Sequence, residues 1–310
     1  MEFIEEIASL RDQISFDGTI DIPEDFDNVV IAGMGGSGIA GRIFQEWFTK
    51  KPVVLVNSYD IPEFVSKRTL FIAISYSGNT EETIHATLEA AKKGAKIRGI
   101  SSGGKLAEII DNTLIIPRSF QPRSAVGFLT VPLLRSFGLV NEEEIAVTKN
   151  LLGEEDQHTQ EYQQIANDIF SQNKIPVIFG IPGLSSVAYR WKTQFNENAK
   201  VLAYSSSFPE LNHNDTMALE NTYRKGEFYF MVLRTKAVRK EISARIGITS
   251  KLCKIDMKGI EGEGNSLFSN IFTLIHKGDY ISYFLAKMRG VDPKDVTIIE
   301  SLKKEIGETK

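Results

Sequence analysis

Hydrophobic and polar positions follow two alternating periodicities in the first half of this chain. Short apolar runs rich in β-branched residues, which predict strands, lie at 28–32, 53–56, 70–74, 95–100 and 113–116. Apolar residues at helical spacing follow the first and third runs, and an amphipathic helix is predicted at the amino terminus. Strands that alternate with helices predict a parallel sheet covered on both faces.

The same alternation returns in the second half, after a polar helical stretch at 142–172 that we interpret as a bridge. Strands are predicted at 175–179, 201–204, 228–233 and 251–255. Helices are predicted at 185–196, at 267–288 and after Asp292 and Pro293. We therefore predict an α/β protein of two domains, residues 1–150 and 151–310, each a mainly parallel sheet flanked by helices.

Composition and charge narrow the classes of protein further. The chain has 310 residues, and its 36 basic and 40 acidic side chains give a net charge of −4. That balance disfavours a general nucleic-acid or membrane surface, so any anionic ligand must be held locally. The single cysteine, Cys253, and four scattered histidines form no pattern of metal ligands. A lone cysteine cannot form an intrachain disulfide, and Glu2, Glu5 and Glu6 stand where a signal peptide would be basic, so we expect a cytoplasmic protein. No apolar run approaches the ~20 residues that cross a bilayer, and we expect no metal, nucleic-acid or membrane partner.

The first candidate site is the sequence GMGGSG at residues 33–38, between a predicted strand and a predicted helix. Backbone N–H groups at Gly35 and Gly36, the Ser37 hydroxyl and the positive end of the helix dipole could hold a phosphate there. Dinucleotide-binding folds share this spacing, but they place an acid at the end of the second strand. Here that strand ends in the sequence VNS at residues 56–58, so a nicotinamide-dependent dehydrogenase stays open but is disfavoured.

The second candidate site is the sequence SYSGNT at residues 75–80, which precedes a predicted helix. Thr80 is predicted to cap that helix, and Ser75 and Ser77 alternate so that both could face one small anion. A capped polar turn without a ligand is the alternative, but capping needs one hydroxyl and this loop has three. The lysine of nucleoside triphosphatase loops is absent, so triphosphate hydrolysis is not supported.

The two loops resemble sugar isomerase (SIS) domains, which bind phosphosugars. Later motifs extend the resemblance over nearly the whole chain, namely PRSA at 122–125, FNEN at 195–198, LNHN at 211–214 and the stretch from 292–293 to 302–303. Together they resemble the bifunctional phosphoglucose/phosphomannose isomerases of archaea and some bacteria. The resemblance implies two SIS-type domains and an aldose–ketose isomerase that converts glucose 6-phosphate and mannose 6-phosphate to fructose 6-phosphate through a cis-enediol. It implies no metal or redox cofactor.

The resemblance also implies roles for residues whose chemistry suits this reaction. Glu197 matches the base that moves a proton between C1 and C2, and Arg123 matches the cation that stabilises the enediolate. His213 matches the ring-opening histidine, which in the family reaches into the neighbouring subunit and so implies a homodimer. Lys303 matches a lysine of the last helix that assists ring opening. The hexose phosphate would be held by the hydroxyls of Ser37, Ser75, Ser77 and Thr80.

Alternatives to these roles remain in the sequence. Arg118 could take the place of Arg123, and Lys304 could take the place of Lys303. Without the resemblance, a glutamate at a helix end and a histidine in a polar turn would be ordinary surface residues. A noncatalytic phosphosugar-binding regulator stays open as well, although it would have no need of the catalytic set.

Tolerance of both sugar epimers is a separate question. Bifunctional members carry a threonine about two turns before the lysine of the last helix, where it leaves room for mannose. Thr297 lies six residues before Lys303 and seven before Lys304, and Val296 would occupy the site in the other register. The sequence alone therefore leaves acceptance of mannose 6-phosphate open.

Overall fold

Nine strands form two parallel sheets in the computed structural model, which describes residues 1–221 and 223–308. The first sheet has the order β2-β1-β3-β4-β5, with β1 at Asn28–Ala32, β2 at Val53–Val56, β3 at Thr69–Ser75, β4 at Lys96–Ser101 and β5 at Thr113–Ile115. The second has the order β7-β6-β8-β9, with β6 at Ile175–Gly180, β7 at Tyr204–Ser207, β8 at Phe228–Arg234 and β9 at Met257–Glu261. The predicted α/β class with two parallel sheets is confirmed.

Thirteen helices cover these sheets in the described part of the chain. Those of the first half are α1 Phe3–Ala8, α2 Leu10–Gln13, α3 Gly35–Trp47, α4 Glu81–Lys92, α5 Gly104–Ile109, α6 Val126–Ser136 and α7 Glu142–Glu155. Those of the second half are α8 Gln160–Ser171, α9 Ser185–Glu197, α10 Asp215–Asn221, α11 Lys240–Cys253, α12 Leu267–Met288 and α13 Thr297–Glu308. Short 3₁₀ turns lie at Glu210–His213 and Lys225–Glu227.

The two sheets share one continuous hydrophobic core. Every residue of β3 is buried, as expected for a central parallel strand with helices on both faces. The long helix α12 is apolar around most of its circumference and packs against α7, α8 and α9. Its buried side chains belong to the same hydrophobic cluster as Ile31 and Ile72 of the first sheet. This shared core fixes the position of one sheet relative to the other.

Helices α3 and α9 pack against each other with opposite directions, and this packing positions the candidate site. Near the end of α3, the carboxylate of Glu46 accepts hydrogen bonds from the Ser186 backbone N–H at 3.1 Å and its hydroxyl at 2.7 Å. Ser186 lies at the start of α9. The end of α9, at Glu197, therefore lies toward the start of α3, where the strands of the first sheet end.

Two strand predictions in the second half were inaccurate. Residues 251–255 are not a strand, because α11 continues to Cys253 and β9 begins only at Met257. The chain leaves α11 through Lys254, whose φ of 51° is left-handed, and the buried Ile255 packs from the following loop. Residues 201–203 are not in a strand either, since β7 begins at Tyr204.

The helical prediction was also incomplete. The bridge predicted at 142–172 is two helices, α7 and α8, separated by residues 156–159. Helices α6, α10 and α11 were not predicted. The domain boundary at residue 150 stays a prediction, and that residue lies within α7.

Candidate active site

The glycine loop lies at the amino terminus of α3, directly after β1. Gly35 has a φ of 49°, and a Cβ on Gly36 would lie 2.9 Å from both the Arg123 Cα and the Pro122 carbonyl oxygen. Only glycine allows the start of α3 to approach the 122–123 backbone so closely. The Ser37 hydroxyl, in the first turn of α3, accepts a hydrogen bond from the Tyr76 backbone N–H at 3.0 Å. This bond joins the glycine loop to the serine loop.

The serine loop connects β3 to α4, and its hydroxyls form a local cluster. The Ser75 hydroxyl lies 2.9 Å from the Thr80 hydroxyl and accepts a hydrogen bond from the Gly78 N–H at 3.1 Å. The Ser77 hydroxyl accepts from the Asn79 N–H at 3.2 Å. Thr80 occupies the N-cap position of α4, but its side chain makes no capping hydrogen bond. Thr80 is therefore at the predicted N-cap position, but the predicted capping hydrogen bond is absent, because the Thr80 hydroxyl is directed to Ser75.

A third turn, at residues 101–104, supports the serine loop from the end of β4. The Ser102 hydroxyl donates to the Tyr76 carbonyl oxygen at 2.6 Å. Gly78 has a φ of 70° and approaches Gly103 so closely that a Cβ on Gly78 would lie 1.7 Å from the Gly103 carbonyl oxygen. The amino termini of α3 and α4 thus lie side by side at the edge where β1, β3 and β4 end. Such an arrangement of helix dipoles and hydroxyls attracts an anion.

Glu197 and Arg123 face each other across the two halves of the chain. Glu197 is the last residue of α9, and its Oε2 lies 3.5 Å from Nη1 of Arg123. The Arg123 side chain is buried, and its Nε donates to Asn198 Oδ1 at 2.8 Å. Burial lowers the pKa of the Arg123 guanidinium, whereas the negative charge of Glu197 opposes that shift. Because the ordinary pKa of an arginine lies far above neutral pH, Arg123 remains a fixed positive charge beside the Glu197 carboxylate.

A buried ion pair holds the backbone of Arg123 in place. Arg190 on α9 donates to both carboxylate oxygens of Asp279 on α12, each at 2.9 Å, and to the Arg123 carbonyl oxygen at 3.0 Å. Gln194 donates a further hydrogen bond to Asp279 at 2.8 Å. This network attaches the 122–125 loop to the two central helices of the second half.

Arg118, the alternative to Arg123 in the sequence, lies elsewhere. Its Nε donates to the Ser102 carbonyl oxygen, and its guanidinium lies against Gly103. The structure therefore brings Arg123 to Glu197 and uses Arg118 to buttress the third turn.

His213 lies at the opposite end of the second sheet from Glu197 of the same chain. It is exposed in the 3₁₀ turn that follows β7, whose last residue, Ser207, pairs with Gly180 at the end of β6. Helix α9 starts beside that edge and has 13 residues, so its last residue lies about 20 Å away along the helix axis. A single chain does not bring these two predicted catalytic residues together.

The last helix begins next to Glu197. A cavity of about 730 Å³ lies between the end of α9 and the start of α13, and its lining includes Glu197, Lys200, Thr297 and Ser301. Lys303 and Lys304 lie farther along α13 and are exposed. Residues seven apart differ by about 20° around a helix axis and residues six apart by about 120°. Lys304 therefore shares the face of Thr297, and Lys303 does not.

Sequence reasoning missed Lys200, which lies in this cavity. Its ammonium donates to the Glu197 carbonyl oxygen at 2.6 Å and to the Asp295 carbonyl oxygen at 2.8 Å. Burial lowers the pKa of the Lys200 ammonium, and the nearby charge of Arg123 adds to that effect. The sequence contained one indirect signal. Helices commonly end at a glycine in the left-handed conformation, and no glycine follows the predicted helix at 185–196 before the next strand. Another residue type must therefore end this helix.

Two classes of site find no support in the described residues. Within 1–221 and 223–308 there is no group of three or more His, Cys, Asp or Glu side chains that could hold a metal ion. None of the described helices has both the length and the apolar character needed to cross a membrane.

At the end of β2, Asn57 donates a hydrogen bond to the Gly33 carbonyl oxygen at 2.5 Å. An amide thus stands where a dinucleotide-binding fold would use an acid to bind ribose.

Comparison with known proteins relates both halves of the chain to one superfamily. Residues 25–132 match the family described as SIS domain, and residues 158–306 match the bacterial phospho-glucose isomerase C-terminal SIS domain.

Similarity to individual proteins extends over nearly the whole chain. The chain is 54% identical to the bifunctional phosphoglucose/phosphomannose isomerase of Thermoplasma acidophilum, with 99% of this chain and 98% of that protein covered. It is 53% identical to the protein of the same name from Thermoplasma volcanium, with 99% and 100% covered. Among solved structures, the C-terminal domain of glucosamine-fructose-6-phosphate aminotransferase from Francisella tularensis matches with a TM-score of 0.74 and 16% identity, covering 94% of this chain and 98% of that one. That last likeness is one of fold.

Proposed function

Because this chain belongs to the bifunctional phosphoglucose/phosphomannose isomerase family, it is an aldose–ketose isomerase with two SIS domains, and we propose that it interconverts glucose 6-phosphate and mannose 6-phosphate with fructose 6-phosphate. The observation that carries the proposal is the pairing of Glu197 with Arg123 beside two hydroxyl-rich loops. A base, a cation and an anion site are the groups that this reaction requires.

The phosphate of the sugar binds at the adjoining amino termini of α3 and α4. The loop glycines Gly35 and Gly36 expose backbone N–H groups there, while hydroxyls and the two helix dipoles add to the attraction. The hydroxyls in question are those of Ser37, Ser75, Ser77 and Thr80. Binding at this edge would direct the carbonyl end of an open-chain sugar toward Glu197, since Arg123 contacts both the glycine loop and Glu197.

The proton transfer uses Glu197 as the base. Glu197 removes the C2 proton of the aldose, which yields the cis-enediolate with its negative charge on O1. A proton then passes from the O2 hydroxyl to O1 by way of the cis-enediol, and the protonated Glu197 returns its proton to C1 as the C2 carbonyl of the ketose forms. The negative charge that develops on the sugar oxygens is stabilised by the Arg123 guanidinium, whose position is fixed by burial and by Asn198. No step in this sequence calls for electron transfer to a cofactor.

Ring opening requires a second acid–base group, and we assign it to His213 of a partner subunit in a homodimer. Within one chain, His213 and Glu197 lie at opposite ends of the second sheet. A two-fold axis that placed His213 of one copy beside Glu197 of the other would complete two equivalent sites at once. A lysine of α13 assists this step, and Lys303 and Lys304 are the two candidates.

Acceptance of mannose 6-phosphate depends on the cavity beside α13. Thr297 lines this cavity, and its hydroxyl is already engaged because it donates to Asp295 at 2.6 Å. A small side chain whose hydroxyl is bound to Asp295 would leave space in this cavity for the C1–C2 unit of the sugar to rotate, which supports action on both epimers. The cytoplasmic location stays a prediction from the sequence.

The test is to incubate the pure protein with fructose 6-phosphate after treatment with a chelator, and to resolve the aldose products. Glucose 6-phosphate and mannose 6-phosphate together support the proposal in full, and glucose 6-phosphate alone removes its mannose part. Binding of fructose 6-phosphate without turnover would instead indicate a sensing module. Dinucleotide binding would favour the dehydrogenase alternative, which the amide of Asn57 already disfavours.

A further inference from the structure

Lys200 has a backbone conformation that does not suit a lysine. Its φ is 55°, in the left-handed region where a side chain is strained and glycine is preferred. The Val201 N–H closes the end of α9 by donating to the Phe195 carbonyl oxygen at 3.2 Å. A glycine at residue 200 would form this helix end with less strain, so the lysine side chain needs a separate explanation.

A second lysine in the same chain serves as a comparison. Lys254 ends α11, also in the left-handed conformation, with a φ of 51°. In the described residues, the Lys254 side chain makes no hydrogen bond or ion pair and is exposed. The Lys200 ammonium instead spans two carbonyl oxygens that are 98 positions apart, those of Glu197 and Asp295.

Lys200 contacts the segment that leads into α13, a helix whose apolar side chains are exposed. The apolar side chains of α13 are 80%, 39%, 59% and 45% exposed at Ile298, Ile299, Leu302 and Ile306. Hydrophobic burial within the chain therefore contributes little to the position of α13. The approach to α13 is held by polar contacts. Arg123 donates to the Pro293 carbonyl oxygen, and Lys294 contacts Met1 and Glu6. Asp295 lies two residues before α13 begins. Thr297 donates to the Asp295 carboxylate from within the same segment, and Lys200 connects the Asp295 carbonyl oxygen to the end of α9.

From these contacts we infer that Lys200 is a positioning residue, which latches the start of α13 to the end of α9 and so sets where the α13 lysine stands relative to Glu197. This inference rests on the proposed function for its kinetic consequence. The latch itself is a statement about α13 and can be measured without substrate.

The variants are chosen to remove the ammonium without damaging the fold. Lys200→Gly removes the side chain and relieves the backbone strain, and Lys200→Met keeps the aliphatic stem but no donor. Lys200→Arg retains donors and should preserve function in large part. Lys254→Gly is the matched control, because it relieves the same backbone strain at a helix end that has no latch.

Amide hydrogen exchange is the first measurement. In Lys200→Gly and Lys200→Met, faster exchange should be confined to residues 292–308, while the rest of the chain and all of Lys254→Gly should match the wild type. Wild-type exchange in the 292–308 segment of both variants would overturn the latch. Because this measurement needs no turnover, it decides the inference even if the wild-type protein had no isomerase activity.

Kinetics with fructose 6-phosphate is the second measurement. A displaced α13 should lower kcat by about 10- to 100-fold and leave KM nearly unchanged, since the phosphate is held by the loops of the first sheet. The same substitution in a Lys303→Ala/Lys304→Ala background should have little further effect, because Lys200 acts through α13. The positioning role would be overturned if the decreases in kcat caused by the Lys200 substitution and by the double lysine substitution were fully additive, or if Lys200→Gly had a wild-type kcat.

Discussion

Contacts to its side chain and to its backbone both position Glu197. It ends α9, its Oε2 lies 3.5 Å from Arg123, and its carbonyl oxygen accepts the Lys200 ammonium. Arg123 is in turn held by Asn198 and by Arg190, which binds the Arg123 carbonyl oxygen. If Glu197 is the base, as we propose, this arrangement prepares it for proton transfer before the substrate arrives.

The first prediction concerns this carboxylate. Glu197→Gln keeps the size of the side chain but removes the base, so turnover of fructose 6-phosphate should fall on the order of 10²–10⁴-fold. The measurement is steady-state kinetics, with Glu108→Gln as a surface control that should retain wild-type turnover. Near-wild-type isomerisation by Glu197→Gln would remove its assignment as the base.

The second prediction separates the two lysines of α13. Thr297 and Ser301 line the cavity beside Glu197, and Lys304 lies on the same face of α13. Lys304→Ala should therefore lower kcat by about 10²-fold or more. Lys303→Ala, which changes a residue about 120° away around the helix, should lower it far less. The reverse order would restore Lys303 as the residue that assists ring opening.

Residues that carry a local motif could be identified from the sequence, whereas the sequence around Lys200 shows only that no glycine ends the preceding helix. The serine loop and the Glu197 motif are contiguous, so their chemistry is visible without the fold. The importance of Lys200 comes from a left-handed backbone and from a carbonyl oxygen 95 positions away, at Asp295. Only the packing of α13 beside α9 brings these two together.

At the scale of a single element, the serine loop depends on the close approach of two backbones. Gly78→Ala combines a φ of 70° with a Cβ that would lie 1.7 Å from the Gly103 carbonyl oxygen. The loop must move, so kcat/KM for fructose 6-phosphate should fall by about 10- to 100-fold. Gly94→Ala is the control, since Gly94 has a φ of 76° but its nearest neighbour would be 3.9 Å away. Equal kinetics in the two variants would show that the loop tolerates the displacement.

The junction between α7 and α8 predicts a response to acid. Asp156 follows α7, and its Oδ1 accepts hydrogen bonds from the Tyr280 hydroxyl and from His276, the latter at 2.9 Å. Burial would raise the pKa of the Asp156 carboxyl, but the His276 and Tyr280 contacts outweigh it and hold that pKa below its ordinary value. The folded-state pKa is therefore lower than the unfolded value. Stability from this group is fully present above about pH 4 and is lost as the pH falls through the folded-state pKa.

Asp156→Asn tests this element directly. The substitution should lower the free energy of unfolding at pH 7 by about 1–3 kcal/mol, and the difference from wild type should shrink below about pH 4. Urea unfolding between pH 3 and pH 7 gives the comparison, with Asp12→Asn as the control for an exposed ion pair. A difference that stays constant over this range would contradict the assigned shift.

Elements with a strong single periodicity were predicted well, and those that depend on tertiary context were not. The apolar run of β3 and the amphipathic pattern of α4 are visible in the sequence. Helix α6 contains Pro132 and Gly127, two residues that disfavour a helix in isolation, and it forms because burial in the core outweighs that preference. Helix α11 was read in part as a strand because its end is apolar.

At the scale of the whole molecule, the single chain leaves its site open on one side. Leu202 and Ile298 line the cavity beside Glu197 and are 73% and 80% exposed, and β7 is an edge strand of the second sheet. Exposed apolar side chains next to an incomplete catalytic set favour coverage by another protein surface. The second copy of the chain that we propose would meet both requirements, because it would cover these side chains and also supply His213.

Mixed dimers test this assembly, because composite sites permit complementation. Glu197→Gln and His213→Ala should each be nearly inactive alone. When the two variants are unfolded, mixed in equal amounts and refolded, half of the dimers are mixed, and one of the two sites in each mixed dimer carries both native residues. Activity should then return to about a quarter of the wild-type value. If Glu197 and His213 acted within one chain, every mixed dimer would hold two defective sites, and the mixture would be no more active than its components.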